Sequence, residues 1–115
     1  MALGAQYTTV AETTLPTGQY VIHAKADIGG LDTTNRADCV MQAGSNTNAE
    51  DGNAYTIPAG GGSTQVTMDG ANRYTTSTTI VVRCRTTTAT SAYDTRLIAI
   101  KTGVLHGDEP LPWID

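Results

Sequence analysis

Apolar and polar residues alternate along much of the chain, and a period of two predicts β-strands. The clearest run covers residues 19–28, where every second side chain is apolar. These side chains are Tyr20, Ile22, Ala24, Ala26 and Ile28. Because successive side chains of a strand point to opposite faces, the intervening residues, which include His23, Lys25 and Asp27, share the other face. No segment of ten or more residues has an apolar stripe at helical spacing, so we predict an all-β fold.

Turn residues divide the rest of the chain into short runs, for which we predict seven to nine strands. The predicted strands cover residues 7–14, 19–28, 36–43, 54–57, 64–69, 74–88 and 95–104. The stretches 44–52, 69–72 and 91–94 are predicted as loops or turns. The last strand has apolar residues on both faces. Its pattern therefore leaves open whether Leu97 and Ala99 or Ile98 and Ile100 face inward.

The spacing of these runs favours an antiparallel β-sandwich over other architectures. The connections are mostly too long for simple hairpins, which favours a jelly-roll or Greek-key sandwich of about eight strands. We assign residues 1–104 to this single domain. After Gly103 the composition changes, and Pro110 and Pro112 cannot donate to a strand ladder. Residues 105–115 are therefore predicted to form an extended C-terminal arm.

Composition and charge narrow the possible functions. Threonine is the most frequent residue and suits strands, phenylalanine is absent, and 16% of residues are charged, with a net charge of −4. A negative balance argues against nucleic acid as the main partner. No apolar run approaches the roughly 18 residues of a membrane span. The N-terminus lacks a basic and an apolar signal region, so we expect synthesis in the cytoplasm without a signal peptide.

The two cysteines, Cys39 and Cys84, each lie in the middle of a predicted strand and in phase with apolar residues. Those neighbours are Ala37, Met41, Ile80 and Val82. The cysteines are either two buried free thiols or one disulfide between two core strands. A bridge that closes a loop of about 45 residues would stabilise the fold by about 4 kcal/mol and would indicate an oxidising environment.

No grouping of residues predicts a catalytic, cofactor-binding or metal site. His23 and His106 are far apart in sequence, and no serine lies in a nucleophile-elbow motif. A metal-binding cupin would need several histidines and a carboxylate. The glycine run at 60–62 lacks the lysine and the helix of a phosphate-binding loop. Arg83 and Arg85 share the face opposite the core, where acidic partners on a neighbouring strand or subunit are expected.

The only tryptophan, Trp113, lies in the proline-stiffened arm between Leu111 and Ile114. Tryptophan is frequent among interface anchors, and proline lowers the entropy lost on docking. Two interpretations are open. The arm either folds back on its own sandwich, or it docks through Leu111, Trp113 and Ile114 onto an adjacent subunit or a particle surface.

Three segments resemble small jelly-roll domains of actinobacterial surface proteins and of tailed-phage virion proteins. They are an opening strand at residues 15–26, a hydrophobic run at 79–84 that ends in a cysteine, and a closing strand at 96–103. The likeness covers about residues 12–104 and is loose. For a chain without a signal, it implies a phage structural protein such as a capsid decoration protein, a class that often forms trimers on the outside of the head.

We therefore expect a non-enzymatic virion protein that stabilises a phage capsid through subunit contacts. Its expected partners are further copies of itself, with a trimer favoured, and the major capsid protein or another virion protein. The alternative is a carbohydrate- or receptor-binding module of a phage tail or bacterial surface protein, with a glycan as ligand. An enzyme is the least favoured class, because the chain lacks a recognisable catalytic grouping.

Overall fold

The computed structural model contains two four-stranded antiparallel sheets that pack face to face. It describes residues 1–31, 33–43, 49–57, 59–60 and 63–103. The strands are β1 (Ala2–Leu3), β2 (Thr8–Leu15), β3 (Gly18–Ile28), β4 (Asn35–Ala43), β5 (Ala49–Ile57), β6 (Thr64–Tyr74), β7 (Thr78–Thr86) and β8 (Thr90–Thr102). The prediction of an all-β antiparallel sandwich of about eight strands is confirmed.

Strands that follow one another in the chain mostly lie in different sheets. Sheet 1 has the order β1-β8-β3-β6, and sheet 2 has the order β2-β7-β4-β5. Among the strands of the described residues, only β4 and β5 follow one another as neighbours within one sheet; each of the other connections passes to the opposite sheet. This arrangement agrees with the crossing connections expected from the lengths of the turns.

The core lies between the sheets and is built from small and medium side chains. The inward residues of β3 are all buried, as their alternation predicts. Opposite them, β4 and β7 contribute Met41, Ile80 and Val82, each at most 1% exposed. The aromatic rings of Tyr20 and Tyr74 lie at one end of the core, with their centroids 6.4 Å apart. The Tyr20 hydroxyl donates a hydrogen bond to the Pro16 carbonyl oxygen at 2.8 Å.

Cys39 and Cys84 form a disulfide between the two central strands of sheet 2. They are direct cross-strand partners in the β4–β7 pairing, and both are buried in the core. Their Cα atoms are 4.1 Å apart, which matches the closer of the two pair types in an antiparallel ladder. Of the two interpretations of the cysteines, the disulfide is therefore confirmed.

Several predicted strand boundaries are wrong. β5 begins at Ala49, so part of the predicted 44–52 loop belongs to a strand. β6 continues to Tyr74 through the predicted 69–72 turn, and β8 begins at Thr90, before the predicted 91–94 link. The strand predicted within residues 74–88 is β7, and it is shorter than β8. These strands lengthen because β3 and β4 pair with them over almost their whole length, so tertiary pairing overrides local turn preference.

The short strand β1 is absent from the sequence-based prediction. It pairs with the start of β8, where Ala2 lies opposite Ser91 and Leu3 opposite Thr90. Leu3 is only 3% exposed and closes one end of the core. Two residues are too few to show an alternating pattern. β1 can therefore be recognised only from its pairing with β8 in the structure.

Some predictions concern parts of the chain outside the described residues. Residues 104–115 are outside them, and with them the predicted arm and the docking residues Leu111, Trp113 and Ile114. The boundary between a domain at 1–104 and an arm at 105–115 stays a prediction.

The disulfide gives a direct test of what stabilises the core. Reducing it should lower the free energy of unfolding by about 4 kcal/mol, because the unfolded chain regains the entropy of a loop closed over 45 residues. Urea unfolding with and without a reductant measures the difference. The double variant Cys39→Ala/Cys84→Ala should not respond to the reductant. Equal unfolding free energies for oxidised and reduced protein would contradict the assigned role.

Candidate interaction site

The outer face of sheet 1 carries three adjacent exposed aliphatic side chains, which we call the aliphatic patch. Val21 of β3 lies directly opposite Ile100 of β8, and Ile98 lies two residues before Ile100 on the same face. Their exposed fractions are 44% for Val21, 49% for Ile98 and 60% for Ile100. Single exposed apolar residues are ordinary, but a contiguous group on a sheet face is typical of an interaction surface.

A β-bulge in β8 determines which residues form this patch. Between Lys25 and Asp27 the register with β8 shifts by one residue, so Asp94 and Thr95 together face a single residue of β3. Ala92 is buried before the bulge, and the odd-numbered Leu97 and Ala99 pack against the core after it. The question left open by the sequence is therefore answered, with Leu97 and Ala99 inward and Ile98 and Ile100 outward.

Charged side chains of both signs surround the patch on the same face. His23 lies beside Ile98 in the pairing, and its Nδ1 contacts Asp69 of β6. Further along β3, the Lys25 ammonium donates hydrogen bonds to Asp27 and Asp94, each at 3.0 Å. His23 occupies the outer face that the alternation predicts for it.

Asp94 occupies an unusual backbone conformation with a φ of 50°. Asparagine and aspartate tolerate this left-handed region better than most residues, and it allows the bulge to form. The hydrogen bond from Lys25 holds the pKa of the Asp94 carboxyl below its usual value of 3.8. The same contact, followed by that with Asp27, raises the pKa of Lys25 above 10.5.

The outer face of sheet 2 carries a second candidate site, which we call the arginine depression. Its lining residues come from β4, β5, β7 and the segment before β2, and they include Tyr7, Arg36, Asp38, Gly52, Ala54 and Arg85. Asp38 and Arg85 are direct cross-strand partners. They immediately precede and follow the two bonded cysteines, so the alternation that buries the cystine turns these charged residues outward.

Asp38 is shared by two arginines. Its Oδ1 accepts a hydrogen bond from Nε of Arg36 at 3.0 Å, and its Oδ2 accepts one from Nε of Arg85 at 3.3 Å. The acidic partner expected for Arg85 is thus present. Among the described residues, the Arg83 guanidinium donates to Gln42, a neutral amide. An acidic partner for Arg83 on a neighbouring subunit stays a prediction.

Comparisons with protein-family models, curated proteins and solved structures find no match for this chain. Among the described residues, no group of three or more histidine, cysteine, aspartate or glutamate side chains is placed to hold a metal ion. The described part of the chain also has no helix long and apolar enough to cross a membrane. The two surface features are therefore interpreted from their own geometry.

The Lys25–Asp94 contact predicts a specific response to acid. The lowered pKa of Asp94 means that its contribution to stability is complete above the unfolded value near 3.8 and is lost as the pH falls through the lower folded value. Between about pH 4 and pH 2, the melting temperature of Asp94→Asn should therefore fall less than that of the wild type.

The backbone conformation of Asp94 allows a control for the acid response. Asparagine tolerates a φ of 50°, whereas alanine does so at a cost. Asp94→Ala should thus be less stable than Asp94→Asn at neutral pH as well. Identical acid responses of the wild type and Asp94→Asn would show that the contact does not contribute to stability.

Proposed function

We propose that this protein is a non-enzymatic structural component of a virion exterior, a capsid decoration protein that stabilises a phage head through subunit contacts. The aliphatic patch is the observation that carries the proposal. It offers a rigid apolar surface on the two adjacent strands β3 and β8, as an assembly protein requires. The resemblance of residues 12–104 to small phage and surface jelly-roll domains supports the virion setting.

The strand order supports the jelly-roll part of this interpretation. Sheet 1 combines β1, β8, β3 and β6, and sheet 2 combines β2, β7, β4 and β5. This is the alternation between two sheets expected of a double Greek key, in which strands near the start of the chain pair with strands near its end, as β1 does with β8 and β2 with β7. We interpret the sandwich as a jelly roll on this basis.

We further propose that the patch contacts a second copy of the chain, in a trimer by preference. The face around it carries basic residues, Lys25 and Arg96, and acidic residues, Asp69 and Asp94. With both signs present, three copies can converge there around a threefold axis without bringing only like charges together. An apolar centre with a polar rim is the usual anatomy of a stable interface. The major capsid protein would then contact a different surface.

The disulfide is compatible with this setting. Disulfides persist in oxidising environments and are rare in the cytosol. A chain synthesised in a host cytoplasm and then released on a particle would experience both conditions in turn. We propose that the thiols of Cys39 and Cys84 lose two protons and two electrons to dissolved oxygen when the protein reaches the oxidising exterior, and that the resulting bond adds to a core that has no phenylalanine.

A second candidate function is a carbohydrate- or receptor-binding module. The arginine depression favours it, because an exposed tyrosine stands beside charged groups in a recess of about 380 Å³. Binding recesses for small ligands usually have volumes of about 300–1,000 Å³. This function uses the opposite sheet from the aliphatic patch, so the two candidate functions make separate predictions.

The assembly proposal predicts that a charge in the patch prevents self-association. Ile98→Lys should raise the dissociation constant for self-association at least about 100-fold, because an unpaired charge would be buried in the contact. Sedimentation equilibrium measures this change. Thr75→Lys adds the same charge in the exposed turn after β6 and should leave association unchanged. A monomeric wild-type protein at high concentration would contradict the contact between copies.

The virion location needs a separate experiment. Mass spectrometry and cryo-electron microscopy of purified particles should find the protein on the capsid exterior in many copies. If the protein is missing from the particle, the decoration role is refuted even if it self-associates.

A further inference from the structure

The arginine depression is a local positive site on a chain with a net charge of −4. Arg36 and Arg85 supply two positive charges, and Asp38 offsets one of them. Both arginine side chains are about half-exposed, while the side chain of Asp38 is only 19% exposed. The carboxylate therefore lies beneath the two arginines and leaves their outer ends accessible to a ligand.

The hydrogen bonds of these arginines leave their strongest binding groups available. Each arginine uses only its Nε atom toward Asp38. Within the described residues, neither Arg36 nor Arg85 donates a hydrogen bond from a terminal Nη nitrogen. Guanidinium groups bind carboxylates through such nitrogens in a planar, bidentate geometry. The guanidinium groups of Arg36 and Arg85, both held by the Asp38 carboxylate, therefore form a site for an anion.

Tyr7 fixes the second arginine from another side. The Arg85 guanidinium carbon lies 4.5 Å from the centroid of the Tyr7 ring, within the range of a cation–π contact. Arg85 is therefore held by Asp38 and Tyr7 together. Because the guanidinium is already ordered, binding a ligand costs less side-chain entropy than binding to a free surface arginine.

The recess beside the arginines exists because β5 presents small residues outward. Gly52 lies opposite Val40, and Ala54 lies opposite Asp38. A Cβ at Gly52 would approach the Cys39 carbonyl oxygen and the Val40 side chain to 3.4 Å. The recess of about 380 Å³ adjoins a second one of about 350 Å³ that shares Arg36, Asp38 and Arg85 with it.

We propose that the arginine depression binds a saccharide that carries a carboxylate, of the uronic or sialic acid class. The carboxylate accepts hydrogen bonds from the Nη atoms of Arg36 and Arg85, and the sugar ring occupies the recess over Gly52 and Ala54. An acidic peptide side chain would satisfy the arginines but leave that recess empty. This inference rests on the second candidate function and does not depend on assembly.

Calorimetric titration of the full chain tests the ligand class. Glucuronic acid and N-acetylneuraminic acid are the probes, glucose is the neutral control, and acetate is the bare carboxylate. We expect at least one sugar acid to bind at least about tenfold more tightly than glucose and acetate, the effect of one charge-assisted contact.

Substitutions in the arginine depression test which residues bind the sugar acid. Arg36→Gln and Arg85→Gln should each weaken binding of the sugar acid at least about tenfold. Arg85→Lys keeps the charge but loses the planar fork, and should also weaken it. Ala54→Leu fills the recess without changing charge and should have a similar effect. Arg73→Gln removes a positive charge from the opposite sheet and should leave binding unchanged. Thermal unfolding of each variant shows whether it is folded.

Each contrary outcome has a distinct meaning. Binding of acetate as tight as that of the sugar acids would overturn a saccharide site. Equal binding of glucose and sugar acids would overturn the acidic specificity and leave the second candidate function standing. No binding of any probe would overturn the inference, whereas presence of the protein on particles would be unaffected.

Discussion

The register between β4 and β7 is the constraint on which both the core and one surface of this protein depend. Cys39 and Cys84 lie directly opposite each other in the centre of sheet 2, and their covalent bond fixes that register. A slip of one residue would turn every side chain of a strand to the other face. The bond thus keeps Met41 and Val82 in the core and places Asp38 beside Arg85 outside.

The two candidate surfaces lie on opposite sheets and rest on different chemistry. The aliphatic patch on sheet 1 is apolar and rimmed by both signs of charge, as suits a contact that excludes water. The arginine depression on sheet 2 is shallow, open to solvent and positively charged, as suits a small anionic group. A sandwich separates two such surfaces by the thickness of its core, so use of one leaves the other accessible.

The sequence was most informative where a strand is long and one face is buried. The alternation of β3 and the in-phase cysteines both correspond to the structure. It was least informative where long-range pairing decides, as at Gly70, a turn-like residue that lies within β6 because it pairs with Ile22. Only part of the arginine depression could be predicted from the sequence. Alternation placed Arg85 outward, but no local pattern shows that Arg36, Asp38 and Tyr7 converge on it.

The bulge at Asp94 and Thr95 has a consequence for how this fold could acquire or lose an adhesive surface. The bulge contributes one extra residue to β8, and that residue decides which of two apolar sets is exposed. With the sequence unchanged but a regular alternation from Ala92 onward, β8 would turn Leu97 and Ala99 to solvent and Ile98 and Ile100 into the core. A single-codon deletion within the bulge would therefore keep the aliphatic patch on the outer face, whereas the patch would be lost if the bulge straightened while the extra residue stayed in the strand.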